Sequence, residues 1–336
     1  MTRIGWGIMG CGWIATEAFA PAVQWSENGR LVAVASRDRD VAMAKARQTG
    51  AERGYAPYEA MLRDPEVDAV YIGLPNGMHE EWAIRCAEAG KHVLCEKSLT
   101  MTRASARRMA EAFTRRGLRL VEAFMYRHHP QWAVVQSLLD ERAIGRPHIV
   151  RASFCNRFDQ PGNHRWSATM GGGVLWDLTC YCVNAVRYVT GSEPVRAVAF
   201  GESRTPDGVD ASTQASLRLA GGVVASVTAS FMGGRDQGLI VVGDEGTIEV
   251  VRPFLPGWEP TEVVLRRTGQ VTDERHFEVG GANQFLHQVE HFASLVLDPS
   301  RAPWPAENGV RNVAACEGIE KACHMGAAVA IDSISA

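Results

Sequence analysis

The chain has 336 residues, of which 46% are hydrophobic and 22% charged, and its formal net charge at pH 7 is −3. With about 100–200 residues per domain, this length predicts two domains. The charge and the lack of basic segments argue against nucleic-acid and anionic-membrane partners, so a small molecule is the expected partner.

Neither a signal peptide nor an apolar run of about 18 residues is recognisable, so a cytoplasmic location is expected. The eight cysteines form no C-x-x-C pair and lie mostly in apolar segments, which is typical of reduced, buried thiols. Cys180 and Cys182 are the one close pair. Because a C-x-C pair alone is not a recognisable zinc spacing, no metal is expected.

Short apolar runs alternate with helical patterns over roughly the first 120 residues, which predicts a parallel sheet covered on both faces. The predicted strands span residues 4–8, 31–36, 69–74, 92–95 and 118–123. The predicted helices span residues 13–26, 39–49, 58–63, 80–89 and 103–116.

A glycine-rich turn follows the first predicted strand. Gly10 and Gly12, with Ala15 as a third small residue, allow a tight turn and a close approach of the backbone to a pyrophosphate at a helix N-terminus. In this strand–turn–helix context the turn predicts a dinucleotide site, and its expected binding residues are Gly10, Gly12, Trp13 and Ile14. The alternative is a glycine turn without function.

The second predicted strand ends in Ser36-Arg37-Asp38. An NAD enzyme would carry an acidic residue here for the ribose hydroxyls, whereas a hydroxyl and a guanidinium can bind a 2′-phosphate. Ser36 and Arg37 are therefore expected to bind the cofactor and to favour NADP over NAD. The alternative is a solvated Arg37 with Asp38 on the ribose.

Two further strands end in polar loops, at 74–79 and at 96–98. Ligands of a doubly wound sheet bind outside the carboxyl ends of its strands, so both loops are expected to line the cofactor cleft, and a purely structural turn is the alternative for 75–77. The expected cofactor residues here are Leu74, Pro75, Asn76, His79, Glu96 and Lys97. Lys97 is one of four lysines beside thirty-one arginines, which favours a function over a surface ion pair with Glu96.

After Pro130 the pattern changes to longer, alternating strands, which predicts a mainly antiparallel sheet. These strands span residues 147–157, 195–203, 211–220, 223–231, 239–243 and 247–251. Helices at 131–142, 173–190, 284–297 and about 307–329 are expected to cover one face of this sheet. The other face would be open, and through it we expect a homodimer or a larger homo-oligomer. The predicted domains are 1–123 for the cofactor and 124–336 for substrate binding and oligomerisation.

Five motifs together carry a family resemblance: the glycine turn, 74–79, Glu96-Lys97, 171–177 and 283–285. With them the chain resembles the glucose-fructose oxidoreductase, inositol dehydrogenase and rhizopine catabolism (Gfo/Idh/MocA) superfamily over nearly its whole length. Segments 122–127 and 177–184 are most similar to its NADP-dependent D-xylose dehydrogenase and dimeric dihydrodiol dehydrogenase branch. The resemblance implies an α/β fold, with an N-terminal Rossmann domain and a C-terminal α+β domain that has a large open sheet. It also implies a nicotinamide between Lys97 and the 171–181 segment.

Two positions depart from the family pattern. Many members have proline after the lysine, often with a cis peptide bond, where this chain has Ser98, so either the loop keeps that bond or its shape differs. Many members also have histidine four residues after the aspartate, where this chain has Tyr181 four residues after Asp177. As in the D-xylose dehydrogenase branch, the implied acid/base group is therefore a phenol.

Oxidation of a sugar or polyol hydroxyl requires removal of its proton while a hydride leaves the carbon, and Tyr181 can accept that proton. A tyrosine pKa of about 10 is high for a base, but a neighbouring Lys97 charge would favour the phenolate. Asp177 lies on the same predicted helix face and could orient the substrate or Lys97. The alternative for Tyr181 is a core tyrosine with a satisfied hydroxyl.

Six further residues flank the predicted domain crossover or precede the glycine triplet at 171–173. We expect Arg165 and Trp166 at the cofactor edge, and we expect Arg127, His128, Arg157 and His164 near the substrate. Arginine and aromatic side chains stack on rings and bind hydroxyl oxygens, although each of these residues could instead be structural.

The expected activity is that of an NADP-dependent dehydrogenase or reductase acting on CH–OH groups of a sugar or polyol. A keto-sugar reductase of a biosynthetic pathway and a dihydrodiol dehydrogenase are the alternatives among enzymes. A non-catalytic dinucleotide-sensing regulator is the alternative of another class.

Overall fold

The computed structural model describes residues 2–158, 162–205, 208–269, 273–301 and 305–331. Its contacts divide the chain into two compact units. The first comprises Met1–His128 with Asn283–Val310, and the second comprises His129–Ala282 with Arg311–Ala336. The functional domain boundary after residue 123 stays a prediction.

A six-stranded parallel sheet forms the centre of the first unit. Its strands are β1 (Ile4–Met9), β2 (Gly29–Ala35), β3 (Arg53–Tyr55), β4 (Ala69–Ile72), β5 (His92–Cys95) and β6 (Leu120–Glu122), in the spatial order β3-β2-β1-β4-β5-β6. All residues of β1 and β4 are buried, as expected for strands covered on both faces. The short strand β3 was not predicted, because three half-buried residues carry no recognisable pattern.

Helices connect these parallel strands. They are α1 (Ala20–Trp25), α2 (Arg39–Thr49), α3 (Tyr58–Leu62), α4 (His79–Glu88) and α5 (Arg103–Thr114). Asp38 caps the N-terminus of α2 with its side chain, and Gly50 ends that helix in the left-handed conformation. The predicted bounds of α2 therefore coincide with the observed ones, because both ends carry strong local signals.

The second unit contains a nine-stranded mixed sheet. Its strands are β7 (Pro147–Cys155), β8 (Pro194–Ser203), β9 (Asp210–Leu219), β10 (Val224–Ser230), β11 (Asp236–Gly243), β12 (Gly246–Val250), β13 (Thr261–Arg267), β14 (Asp273–Val279) and β15 (Val329–Ala330). The spatial order is β14-β13-β12-β11-β7-β10-β9-β8-β15, and the pair β7 and β10 is parallel among antiparallel neighbours. The predicted fold class, α/β with a second, mainly antiparallel sheet, is confirmed. Strands β13 to β15 were not predicted.

Two helices of the second unit follow the prediction closely. They are α6 (Gln131–Asp140) and α7 (Cys180–Thr190), and α7 packs on β7 and β10. A π-helical segment, Leu175–Thr179, leads directly into α7. The face of the sheet that bears Ala152, Ala225 and Leu217 is buried.

The helix predicted at 284–297 is present as α8 (Gln284–Leu297), but its predicted position was wrong. It does not cover the second sheet: Val289 and Phe292 belong to the core of the first unit, where Phe292 packs 5.2 Å from Trp6 between ring centroids. Helical periodicity specifies that one face is buried and leaves the sheet that buries it undetermined. The last helix, α9 (Glu307–Met325), ends before the predicted residue 329, because Gly326 adopts a positive φ of 58°.

No helix in the described part of the chain combines the length and apolarity needed to cross a membrane. Within the same residues, no cluster of three or more histidine, cysteine and acidic side chains could hold a metal ion.

Candidate active site

The glycine turn lies after β1, where the strand order of the first sheet reverses between β1 and β4. Gly10 has a φ of 100°, and a Cβ at this position would lie 2.7 Å from the Gly73 carbonyl oxygen. The Cβ of Ala15 would lie 3.3 Å from a Cβ placed on Gly73, so packing against the end of β4 requires small residues here. A Cβ at Gly12, by contrast, would meet no heavy atom within 4 Å. Internal packing therefore does not explain Gly12.

The helix after this turn begins with a π-helical segment, Ile14–Phe19, which continues into α1. The predicted helix 13–26 is thus present, but its first half is wound more loosely than an α-helix. Trp13 is 70% exposed beside the turn, and Ile14 is half-buried.

The carboxyl end of β2 presents Ser36 and Arg37, with Ser36 half-buried and Arg37 exposed. The Oδ1 atom of Asp38 accepts a hydrogen bond from Val41 N at 2.9 Å, and Asp38 N donates to Ser36 Oγ at 3.3 Å. One oxygen of the carboxylate that could alternatively bind a ribose therefore caps α2.

His79 occupies a different place from the predicted cofactor contact. Its side chain is fully buried, with Nε2 2.7 Å from Leu74 O and Nδ1 2.9 Å from Ser98 O. Burial lowers the pKa of His79, and so does the charge of Lys97, whereas the hydrogen bonds to the backbone raise it. A ring without solvent-accessible atoms has no surface for a cofactor, so the structure contradicts the predicted cofactor contact of His79. The ring instead joins two loops. Pro75 and Asn76, at the start of the Asn76–Met78 turn, are half-buried and remain candidate contacts.

Glu96 and Lys97 follow β5, and both are half-buried. Tyr71 donates its hydroxyl proton to Glu96 Oε1 at 2.5 Å, and Lys97 N donates to Glu96 Oε2 at 3.3 Å. The Lys97-Ser98 peptide bond is cis, so the loop keeps the bond geometry often found in the family despite its serine. The Glu96 carboxylate thus connects the backbone N–H of Lys97 to the buried Tyr71 of β4.

In the second unit, the helix that bears Asp177 and Tyr181 has an anchored first turn. The Oδ2 atom of Asp210 accepts hydrogen bonds from Leu175 N and Thr213 Oγ1, both at 2.8 Å. Trp176 donates from Nε1 to Glu320 Oε1 at 3.3 Å. Burial raises the pKa of Asp210 and of Glu320.

Arg165, expected at the cofactor edge, forms an ion pair with Asp177. Its Nε lies 2.7 Å from Asp177 Oδ2, and the two side chains are 24% and 13% exposed. The Arg165 backbone N–H donates to Asn163 Oδ1, and its guanidinium lies 4.6 Å from the centre of the Phe158 ring. This geometry fixes the orientation of the Asp177 carboxylate.

Tyr181 is 5% exposed, and its ring packs edge-on against Phe154 and Phe254 at centroid distances of 5.4 and 5.6 Å. Trp166 is half-buried and packs edge-on against Phe231 at 5.2 Å. The packing against Phe154 and Phe254 therefore holds the Tyr181 ring in a defined position.

The four expected substrate residues divide between the two units. In the first, Arg127 is half-buried, and the His128 ring lies 5.1 Å from His291. Burial, with the charges of His291 and Arg127, lowers the pKa of His128 to about 3. In the second, Arg157 and His164 are exposed.

Sequence reasoning missed Asp210, Glu320 and Tyr71. Asp210 is 35 residues from Leu175, and Glu320 is 144 residues from Trp176, so no local spacing links them. The one available signal was Gly173, whose φ is 110° and whose missing Cβ would overlap Asp210 Oδ1. A glycine triplet indicates a close approach without naming what approaches.

Comparisons with known proteins identify domains of the same family in both parts of the chain. Residues 4–124 match the oxidoreductase family with an NAD-binding Rossmann fold, and residues 132–249 match the GFO/IDH/MocA C-terminal domain. The chain is 33% identical to D-xylose 1-dehydrogenase (NADP(+)) 2 of Haloferax volcanii, over 97% of this chain and 99% of that protein. It is 30% identical to trans-1,2-dihydrobenzene-1,2-diol dehydrogenase of Xenopus laevis, over 87% and 89%.

The chain is also similar to a solved structure over nearly its whole length. The 3-ketoreductase of Actinomadura kijaniata, in complex with NADP and TDP-benzene, superimposes with a TM-score of 0.88 at 30% identity, covering 96% of this chain and 98% of that one. The resemblance carried by the sequence motifs is confirmed: this chain belongs to the GFO/IDH/MocA family of oxidoreductases.

Proposed function

We propose that this protein is an NADP(H)-dependent oxidoreductase that transfers a hydride between nicotinamide and a hydroxyl or carbonyl carbon of a sugar or polyol, as a D-xylose dehydrogenase does. The observation that carries the proposal is the glycine turn at the switch point of the first sheet, where packing explains Gly10 and not Gly12. A position that is glycine without a packing reason fits the approach of a pyrophosphate to the backbone.

The residues of the first unit fit a dinucleotide. When bound, the nicotinamide supplies the hydride acceptor or donor. Gly10 and Gly12 let the backbone approach the pyrophosphate at the start of the following helix, and Trp13 and Ile14 are the side chains next to it. The loops that carry Pro75, Asn76, Glu96 and Lys97 follow the adjoining strands at the same edge of the sheet.

NADP is the proposed form of the cofactor. Arg37 is exposed, and Ser36 has an accessible side chain at the tip of β2. The capping role of Asp38 supports this choice, because one of its carboxylate oxygens is already bonded to the backbone of α2. The similarity to the Haloferax D-xylose 1-dehydrogenase, an NADP(+) enzyme, supports the same choice.

Tyr181 is the proposed acid/base group, assisted by the positive charge of Lys97. The phenol takes the proton of the substrate hydroxyl during oxidation and returns it during reduction. Asp177, held by Arg165, orients substrate hydroxyls as a fixed acceptor. Arg157 and His164 are proposed to contact the substrate, because both are exposed in the second unit.

A keto-sugar reductase is the second candidate function. The same groups catalyse both directions, and the 3-ketoreductase with NADP and TDP-benzene supports a substrate that bears a nucleotide group. A dihydrodiol dehydrogenase and a non-catalytic dinucleotide sensor are the remaining alternatives.

We also propose a homodimer or larger homo-oligomer built on the outer face of the nine-stranded sheet. Paired strands place Ile149 beside Val224 on this face, and β8 adds Val198 and Phe200, of which Phe200 is 74% exposed. Exposed apolar side chains on one sheet face favour association. A monomeric mass by light scattering at micromolar concentration would reject the proposed oligomer.

A cytoplasmic location stays a prediction.

The test of the function is a substrate panel. Purified protein is incubated with NADP⁺ and separately with NAD⁺ across aldoses, inositols and dihydrodiols, and in reverse with NADPH and keto-sugars, while the absorbance of reduced nicotinamide is followed. Turnover of a sugar with a preference for NADP⁺ supports the proposal. Tight NADPH binding without turnover in either direction supports the sensor instead.

A further inference from the structure

The two loops expected to carry cofactor contacts in the first unit share one buried side chain. His79, the first residue of α4, places Nε2 2.7 Å from Leu74 O and Nδ1 2.9 Å from Ser98 O. Leu74 belongs to the loop after β4, and Ser98 directly follows Lys97 in the loop after β5. The imidazole therefore spans the two loops, with one ring nitrogen on each.

The ring can hold this position because it is closed off from solvent, with an exposure of 0%. A neutral imidazole has one N–H, so each tautomer donates to one of the two carbonyl oxygens. Burial disfavours the doubly protonated ring, and Lys97 then supplies the positive charge of this segment. The imidazole acts as a spacer and a hydrogen-bond donor in one rigid group.

We propose that His79 is a positioning residue that sets the place of Lys97 relative to the Leu74–Asn76 loop. The inference rests on the proposed catalytic role of Lys97, but it also makes a statement about Lys97 that does not depend on turnover. In the Nδ1–H tautomer, loss of the ring removes a hydrogen bond to the carbonyl of Ser98, and the backbone next to Lys97 then loses its connection to α4.

The experiment compares three variants. His79→Phe retains an aromatic ring without donors, and His79→Gln retains a side-chain N–H donor. The matched control is His92→Phe: His92 lies at the opposite end of β5, and its Nδ1 accepts a hydrogen bond from Arg119 N at 2.9 Å. Both substitutions to phenylalanine remove a histidine of the first unit whose ring contacts the backbone of a neighbouring segment, and only the substitution of His79 acts next to Lys97.

Two readouts are used: kcat and KM for NADP⁺ with the best sugar, and the NMR signals of the lysines after reductive ¹³C-methylation. The chain has four lysines, and Lys97→Arg assigns the signal of Lys97. In His79→Phe we expect a fall in kcat of about a hundredfold, as for a misplaced catalytic group, and a shifted Lys97 signal. In His79→Gln we expect a fall of about three- to tenfold, because the donor is retained. In His92→Phe both readouts stay near wild type.

A Lys97 signal and a kcat that are unchanged in His79→Phe overturn the inference, as does an equal effect of His92→Phe. If His79→Phe does not fold, the smaller His79→Leu, which also lacks a donor, decides: an unshifted Lys97 signal with wild-type kcat refutes the positioning role. If the wild type turns over no substrate, the proposed function fails, and the Lys97 signal alone then tests His79.

Discussion

Removal of the Tyr181 hydroxyl group is the most direct test of the proposed acid/base role. In Tyr181→Phe the ring is retained, and it is the ring that packs against Phe154 and Phe254 inside the second unit. Aromatic pairs of this kind contribute about 0.5–1.5 kcal/mol each, and neither is lost in the substitution. The free energy of unfolding is therefore expected to change by no more than about 1 kcal/mol, the usual net worth of one hydrogen bond.

The effect on turnover is expected to be much larger. An acid/base group contributes about 10²–10⁴-fold to a rate, which corresponds to about 3–5 kcal/mol of transition-state free energy. The affinity for NADPH is expected to stay within a few-fold, because the proposed cofactor residues of the glycine turn and of the β2 tip lie in the other unit. A large loss of kcat with small changes in stability and NADPH affinity is thus the signature of the proposed role.

Initial rates of NADPH formation measure kcat and kcat/KM, urea unfolding measures stability, and NADPH fluorescence measures binding. The matched control is Tyr188→Phe, two helical turns further along α7, where the Tyr188 ring packs against Trp132. It loses a hydroxyl from the same helix and is expected to keep wild-type turnover. If Tyr181→Phe turns over as fast as Tyr188→Phe, Tyr181 is a core residue and the mechanism is wrong.

Three further changes test other parts of the site. Arg37→Ala is expected to weaken NADP⁺ binding about 10–100-fold, the value of one to two charged hydrogen bonds, and to leave NAD⁺ binding unchanged; equal losses in titrations with the two cofactors would contradict the 2′-phosphate assignment. Asp210→Ala removes the acceptor of Leu175 N, so the free energy of unfolding in urea should fall by about 1–2 kcal/mol and turnover should fall with it. Stability equal to wild type would show that this cap is dispensable. For His128, whose pKa is lowered to about 3 by burial, the neutral ring stabilises the fold above its unfolded pKa of about 6.5, and this contribution is lost as the pH falls towards 3. His128→Phe should flatten the dependence of unfolding free energy on pH in that range, and equal slopes in the two proteins would exclude His128 as the cause.

Local signals in the sequence predicted most of the elements. The bounds of α2, α8 and β5 agree with the predicted residues 39–49, 284–297 and 92–95. In α2 the agreement follows from a capping aspartate and a terminal glycine, which act within one helical turn. Short or edge strands such as β3 and β15 carry no such signal, since two or three residues show no periodicity.

The candidate site was predictable in its residue types and less so in its contacts. The glycine turn and the positions of Lys97 and Tyr181 follow from strand ends and helix spacing, and their functional roles stay predictions. The pairing of Arg165 with Asp177 and the two carbonyl contacts of His79 had no counterpart in any pattern. The sequence pattern around a polar residue near a loop is the same whether its side chain faces solvent or a buried carbonyl.

By itself, the sequence determined most of the helices and strands, the switch from parallel to antiparallel patterning and the family, because these depend on periodicity, caps and motifs within short windows. Tertiary structure alone decided that α8 packs into the core of the first unit, that Asp210 caps a helix 35 residues away and that His79 is enclosed between two loops. The physical reason is the same in each case. An apolar face or a hydrogen-bonding group specifies the kind of partner it needs, and only the folded chain selects which partner lies within reach.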